Sequence, residues 1–163
     1  MSERRLRGAV LLLSLAGAGI ATYLTVAHFA HVQVACATGG CETVQTSRYA
    51  EVAGVPVAVI GLAGYLVLAW TATARGELAR ALGFAAALTG FAVAMVLLYV
   101  QAGVLHAFCQ WCLASDAILV LLLPPTLLRA WRGSPPGAGS SPRARRRTAR
   151  APSRHAGRRL PRR

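Results

Sequence analysis

Charge is scarce in this sequence, and negative charge is the scarcest. Only 14% of the 163 residues are charged, whereas 55% are hydrophobic. Lysine is absent, so all 18 basic residues are arginines, and only five residues are acidic. Soluble domains carry about 25% charged residues, so this composition excludes an ordinary soluble domain. It favours a membrane protein, and the length suits a single domain.

The carboxyl-terminal part of the chain lacks negative charge completely. No acidic residue follows Asp116, and twelve of the arginines lie between Arg129 and Arg163. Most of the net charge of +13 therefore comes from the carboxyl-terminal tail and not from the folded part of the chain. Its glycine, serine, proline and arginine cannot bury a core. We expect residues 1–132 to form one transmembrane domain and residues 133–163 to form a disordered cytoplasmic tail near anionic membrane lipid, with no nucleic acid partner.

Four long apolar runs dominate the rest of the sequence. They extend from Gly8 to Ala30, Val55 to Ala74, Ala81 to Val104, and Phe108 to Leu128. Each run can cross about 30 Å of hydrocarbon as a helix, and lipid requires that backbone groups pair internally. The sequence therefore predicts an all-α membrane protein, a four-transmembrane-helix bundle with an outer loop and a short helix between helices 1 and 2. Residues 42–52 could form that short helix, and the small residues of the runs predict close helix packing.

The arginines also predict the orientation of the bundle. One side of the four runs carries most of the arginines that precede residue 133: Arg4, Arg5, Arg7, Arg75, Arg80, Arg129 and Arg132. On the other side, Arg48 is the only arginine in residues 31–54 and 101–107. Because basic loops stay in the cytoplasm, we expect a multi-pass protein of the inner (cytoplasmic) membrane with both termini cytoplasmic. A cleaved signal peptide ending near Ala18 is the alternative for the first run, and it would leave the cysteines on the same side.

Cysteine is limited to four residues, all on the predicted outer side. Cys36 and Cys41 lie between the first two runs, and Cys109 and Cys112 form a C-x-x-C motif where the fourth run begins. Disulfides persist outside the bacterial cytoplasm, and a helix start stabilises a thiolate. Two dithiols on one membrane face can exchange electrons.

This pattern resembles the bacterial homologues of vitamin K epoxide reductase. Those membrane oxidoreductases have four helices, a spaced cysteine pair in the first outer loop and C-x-x-C at the fourth helix. The resemblance covers about Leu11 to Leu128, without a fused thioredoxin-like domain. Besides the four cysteines, it rests on Ser47, Gly54-Val55-Pro56, Gly61, and the sequence Phe108-Cys109-Gln110-Trp111-Cys112.

The resemblance implies an enzyme, a membrane thiol-disulfide oxidoreductase that reduces a quinone. It would reoxidise a separate extracytoplasmic thioredoxin-like (DsbA-type) partner and so support disulfide bond formation, with menaquinone or ubiquinone as the electron acceptor. Cys112 would contact the quinone, with Cys109 as its disulfide partner. Cys41 would transfer electrons to Cys109, and Cys36 would receive them from the partner. Ser47 would hydrogen-bond a quinone carbonyl oxygen.

Three further residues near the motif are candidate quinone contacts. Phe108 and Trp111 are aromatic residues suited to the membrane interface, and either could wall the quinone pocket. Asp116 follows Cys112 by four residues, so both lie on one helix face. An ionisable group within a span is a functional candidate, and Asp116 could donate a proton to the quinone. The alternative is a carboxylate that sits in water near the outer interface.

Three other interpretations of the cysteines remain open. Quinone-linked oxidases of the DsbB type also have two outer pairs, but their C-x-x-C comes first in the chain, so the cysteine order disfavours them. A membrane structural protein could instead use the four cysteines for a zinc site. An interaction protein could hold them as two static disulfides.

Overall fold

The computed structural model describes residues 2–133, and it is a helical bundle with a small irregular region at one end. The predicted disordered tail lies outside the described residues, except for Gly133. The elements are α1 (Glu3–Ala30), α2 (Cys41–Gln45), β1 (Glu51–Val52), β2 (Val55–Pro56), α3 (Val57–Thr73), α4 (Glu77–Tyr99) continued by a π-helical turn (Val100–Leu105), and α5 (Gln110–Gly133).

The predicted class, an all-α membrane protein, is confirmed. Within residues 2–133, α1, α4 with its π-helical turn, and α5 are long and apolar enough to cross a membrane. Helix α3 has 17 residues and is equally apolar. At 1.5 Å per residue it reaches about 26 Å, the short end of what a bilayer requires. Four spans therefore remain a prediction.

The region between α1 and α3 differs from the sequence prediction. Helix α2 ends at Gln45 and does not continue to Val52. The amide and hydroxyl of Ser47 both bind the carbonyl of Val44, which stops the helix. The chain then turns through Ala53 and Gly54, both with positive φ, so that β1 pairs with β2 in an antiparallel hairpin.

Tyr65 joins three helices in the core. Its ring, only 3% exposed, lies directly against Gly17 of α1, where any β-carbon would overlap the ring. Its Oη lies 2.8 Å from Oγ of Ser115 on α5 and also donates to the Ser115 carbonyl. Tyr65 therefore fixes α3 against both α1 and α5, beside the cavity described below.

Arginines hold together the end of the bundle that lies away from the cysteines. Arg7 donates to the carbonyls of Ala72 and Thr73, the last two residues of α3, and to that of Ala74, which caps the helix. Arg129, only 2% exposed, donates to the Thr71 carbonyl and pairs with Glu3. Cations at a helix carboxyl end satisfy unpaired carbonyls and the helix dipole. We call this the arginine end; the cysteine end holds residues 31–56 and 106–112.

Candidate functional site

A cavity of about 420 Å³ lies inside the bundle at the cysteine end. Its walls come from α1, α3, α4 and α5, and residues 44–50, from the end of α2 onward, also line it. The lining is mostly apolar, with a smaller set of polar side chains: His28, Gln45, Ser47, Tyr49, Tyr65, Thr89, Gln101, Ser115 and Asp116. An apolar cavity of this volume with few polar groups is typical of a site for a small organic molecule.

The C-x-x-C motif brings a dithiol to the wall of this cavity. Among the described cysteines, only Cys112 lines it, whereas Cys109 is fully buried just before α5. The Cys112 thiol donates to Cys109 Sγ over 2.8 Å. Gln45 Nε2 lies 4.0 Å from Cys112 Sγ on the cavity side. Cys112 is therefore the sulfur that a molecule in the cavity can reach.

The environment of Cys109 favours its thiolate. The hydrogen bond from the Cys112 thiol, aided by backbone N–H groups of Cys112 and Trp111, lowers the pKa of Cys109 to about 7. Burial acts in the opposite direction but is outweighed. A thiolate is the reactive form in thiol-disulfide exchange, so Cys109 is prepared for exchange near neutral pH.

Gln101 positions Cys109 from the neighbouring helix. This side chain is 2% exposed and lies in the π-helical turn that ends α4. Its Oε1 accepts a hydrogen bond from the Cys109 amide over 2.8 Å. Local π-helical geometry often occurs at functional sites. A polar residue within an apolar run was the sequence signal that could have identified Gln101.

The second cysteine pair is a disulfide, Cys36–Cys41, in a loop that packs against Phe108, the residue before the C-x-x-C motif. Gly40 makes the close approach possible, because a β-carbon there would lie 2.7 Å from the Phe108 amide nitrogen. Thr38 Oγ1 also donates to the Phe108 carbonyl over 2.7 Å. Cys41 follows Gly40 and Cys109 follows Phe108 in the sequence, so each buried cysteine is adjacent to a residue of this close approach.

A second, more polar cavity of about 630 Å³ opens at the cysteine end. Cys36 lines it and is partly exposed, whereas Cys41 is fully buried. His28 and Glu51, 3.5 Å apart, lie on its wall together with Glu42. Cys36 is therefore the sulfur of this disulfide that an external thiol can attack.

Ser47 and Asp116 both line the first cavity together with Cys112. Ser47 Oγ currently donates to the Val44 carbonyl over 2.8 Å. Asp116 is 8% exposed, and its buried Oδ2 has no hydrogen-bond partner among the described residues. An unpaired buried polar atom is costly, so Asp116 is a candidate contact for a molecule bound in the cavity that it lines.

The two predicted aromatic contacts lie elsewhere. Trp111 and Phe108 are not among the described residues that line the first cavity. The Trp111 indole packs against Tyr23, with ring centroids 5.0 Å apart, on the side of the outer loop. Phe108 is 44% exposed. The first turn of α5 can turn only one face toward the cavity, and Cys112 occupies it.

Glycines of α3 leave space at the cavity rather than packing against a helix. A β-carbon at Gly61 or Gly64 would meet nothing within 4 Å, and both residues line the cavity. Gly83 and Gly90 behave as the sequence predicted, since a β-carbon there would lie 2.8 Å from Thr71 or Leu119 side chains. Spacing alone could not separate these two uses of glycine.

The sequence pattern of the Vitamin K epoxide reductase family matches residues 9–127, which include most of the chain and all four cysteines. The chain belongs to this family. The resemblance seen in the sequence is thereby confirmed. Members of the vitamin K epoxide reductase family are membrane thiol-disulfide oxidoreductases that use quinones and generally work with thioredoxin-like partners. The cavity beside Cys112 and the docked disulfide are the parts of this structure that such chemistry requires.

Proposed function

We propose that this protein oxidises a thioredoxin-like (DsbA-type) protein outside the cytoplasm and passes the electrons to a membrane quinone, either menaquinone or ubiquinone. Electrons would move from the partner to Cys36–Cys41, then to Cys109–Cys112, and then to the quinone. The observation that carries the proposal is the position of Cys112, which lines a mostly apolar cavity while its motif binds the backbone on both sides of Cys36.

The residues of the first cavity fit a quinone. A quinone supplies an acceptor for two electrons and two protons. The apolar walls suit its ring and tail, and the open space at Gly61 and Gly64 leaves room beside the ring. Gln45 can donate to a carbonyl oxygen through its amide, and Ser47 can do so if it releases the Val44 carbonyl. Donors aimed at an oxygen that gains negative charge stabilise that charge.

The chain supplies the remaining chemistry at the dithiol. As two electrons leave, Cys109 and Cys112 form a disulfide, and the thiol proton of Cys112 is released. Asp116 lies one helical turn from Cys112 and lines the same cavity, so its carboxyl can hold a proton beside the quinone oxygen. The buried and unpaired Oδ2 supports this role over a carboxylate in water.

The accessible Cys36 supports entry of the partner at the cysteine end. Arg7 and Arg129 lie at the other end of the bundle. Basic residues near membrane helices favour the cytoplasmic side, which supports a cytoplasmic position for this end. We therefore propose that both termini are cytoplasmic and that all four cysteines face outward. The zinc interpretation would need all four cysteines as free thiolates. In this structure Cys36 and Cys41 are bonded to each other, and residues 2–133 contain no cluster of three metal-ligating side chains, so neither observation supports it.

Anaerobic quinone reduction by the purified protein in lipid tests this function. A reduced DsbA-type protein is the electron donor in one arm, and a small dithiol is the donor in the other. We expect Cys109→Ala and Cys112→Ala to abolish turnover in both arms, and Cys36→Ala to abolish it only with the protein donor. Equal loss for Cys36→Ala in both arms would reject the relay, and absence of turnover in the unmodified protein would favour a static scaffold.

A further inference from the structure

The two residues inside the C-x-x-C motif bind the backbone on both sides of Cys36. Trp111 Nε1 donates to the Ala35 carbonyl over 2.7 Å. Gln110 Nε2 donates to the same carbonyl over 3.3 Å, and Gln110 Oε1 accepts from the Ala37 amide over 2.9 Å. The motif that carries one cysteine pair thus holds the segment that carries the other.

Tyr23 of α1 completes this arrangement. Its Oη accepts a hydrogen bond from the Ala35 amide over 3.0 Å, so side chains bind both polar backbone groups of Ala35. The Tyr23 ring also packs against the Trp111 indole at an interplanar angle of 56°. We call Tyr23, Gln110 and Trp111 the loop clamp.

Within residues 2–133, the segment around Cys36 has no backbone pairing to fix its position. Residues 32–36 adopt no regular secondary structure. In the described part of the chain, no backbone group of residues 33–39 pairs with another backbone group. Apart from the clamp, the segment is held by the Cys36–Cys41 disulfide, by a hydrogen bond from Gln33 to Glu42, and by Thr38, which donates to the Phe108 carbonyl. A segment without backbone pairing keeps much of its conformational freedom, so side-chain contacts determine where the loop cysteines lie.

We propose that Tyr23, Gln110 and Trp111 are positioning residues that hold the loop cysteine pair against the C-x-x-C motif for exchange between Cys41 and Cys109. This inference rests on the proposed function and adds the groups that bring the two pairs together. Holding two reacting groups in place raises their effective concentration, which speeds exchange without any contact to the sulfur atoms.

The exchange begins with a reduced loop pair and an oxidised Cys109–Cys112 pair. The Cys41 thiolate attacks Cys109 Sγ; the Cys41–Cys109 bond forms, and Cys112 leaves as a thiolate and takes up a proton. The Cys36 thiolate then attacks Cys41 Sγ, the loop disulfide forms, and Cys109 leaves as a thiolate. Two electrons have moved from the loop pair to the motif. The products are the disulfide and dithiol present in this structure.

The test measures the stability of the Cys41–Cys109 bond directly. In the full chain with Cys36→Ala and Cys112→Ala, only Cys41 and Cys109 can form a disulfide. The protein in lipid nanodiscs is equilibrated with glutathione buffers, and mass spectrometry gives the oxidised fraction and thus the effective concentration of the two thiols. Neither quinone nor a protein partner takes part, so failure of the proposed function leaves this result interpretable.

Three clamp variants and one matched control are compared in that background. Trp111→Phe keeps an aromatic ring beside Tyr23, Tyr23→Phe keeps its own ring, and Gln110→Met keeps its length. We expect each to lower the effective concentration by roughly 3- to 10-fold, since each loses one or two hydrogen bonds. Gln33→Met should leave it unchanged, because Gln33 contacts Glu42 within the same outer segment.

Three results would overturn the inference. The first is an effective concentration that is unchanged in all three clamp variants, and the second is an equal loss in Gln33→Met. The third is a loss in Gln110→Met and Trp111→Phe without any loss in Tyr23→Phe. Because Tyr23 lies outside the motif, that third pattern would assign the effect to the chemistry of C-x-x-C itself rather than to loop position.

Discussion

Removing the Cys112 thiol should change how Cys109 titrates. The hydrogen bond from Cys112 is the largest cause that lowers the pKa of Cys109 to about 7. Without that donor, Cys112→Ala should raise the pKa toward the ordinary thiol value of about 8.5 or above, because burial of Cys109 then acts with less opposition. At pH 7 the thiolate fraction should fall from about one half to about 3%.

The ultraviolet absorbance of the thiolate, followed against pH with the loop disulfide intact, measures this shift. The thiolate is lost as pH falls, at a midpoint near 7 in the parent protein and near or above 8.5 in Cys112→Ala. Cys112→Ser retains a hydroxyl donor and should keep the midpoint below that of Cys112→Ala. A midpoint that stays near 7 in Cys112→Ala would refute the reasoning and assign the low pKa to the helix start alone.

Three further substitutions test separate parts of the site. Gly40→Ala should lower the rate of quinone reduction with a protein donor, because the added β-carbon meets the Phe108 backbone. An unchanged rate would contradict the close approach of Gly40 to Phe108. Asp116→Asn should slow quinol formation by roughly 10-fold or more in stopped-flow absorbance without changing Cys41–Cys109 exchange, and an equal rate would remove Asp116 from proton transfer. Gly64→Leu should raise the KM for quinone by filling the cavity, whereas Gly19→Leu, which also has open space but lies outside the lining, should not; equal effects would contradict the placement.

The sequence predicted those features that depend on composition and spacing. Apolar runs marked the membrane helices, and the cysteine pattern with Ser47 identified the family that the comparison confirms. Asp116 was identified because a carboxyl within an apolar run is rare, and it does line the cavity with Cys112. These signals are local in the chain and need no knowledge of packing.

Other features arise only when the chain folds. Helix α2 ends early because Ser47 binds the Val44 carbonyl, a choice that residues 42–52 alone do not reveal. The sequence predicts Trp111 as a possible wall of the quinone site, yet its indole donates to the Ala35 carbonyl on the loop side. Gln45 carried no sequence signal, since only the position of α2 over the bundle brings it near Cys112.

A single-turnover reaction tests the central claim most directly. Protein with the loop disulfide intact and Cys109 and Cys112 reduced is mixed anaerobically with one equivalent of quinone. Quinone absorbance and mass spectrometry of alkylated cysteines are then followed together. The account predicts that one Cys109–Cys112 disulfide forms for each quinol produced, and that Cys112→Ala produces no quinol. Quinol formation in Cys112→Ala, or quinol without the disulfide, would contradict it.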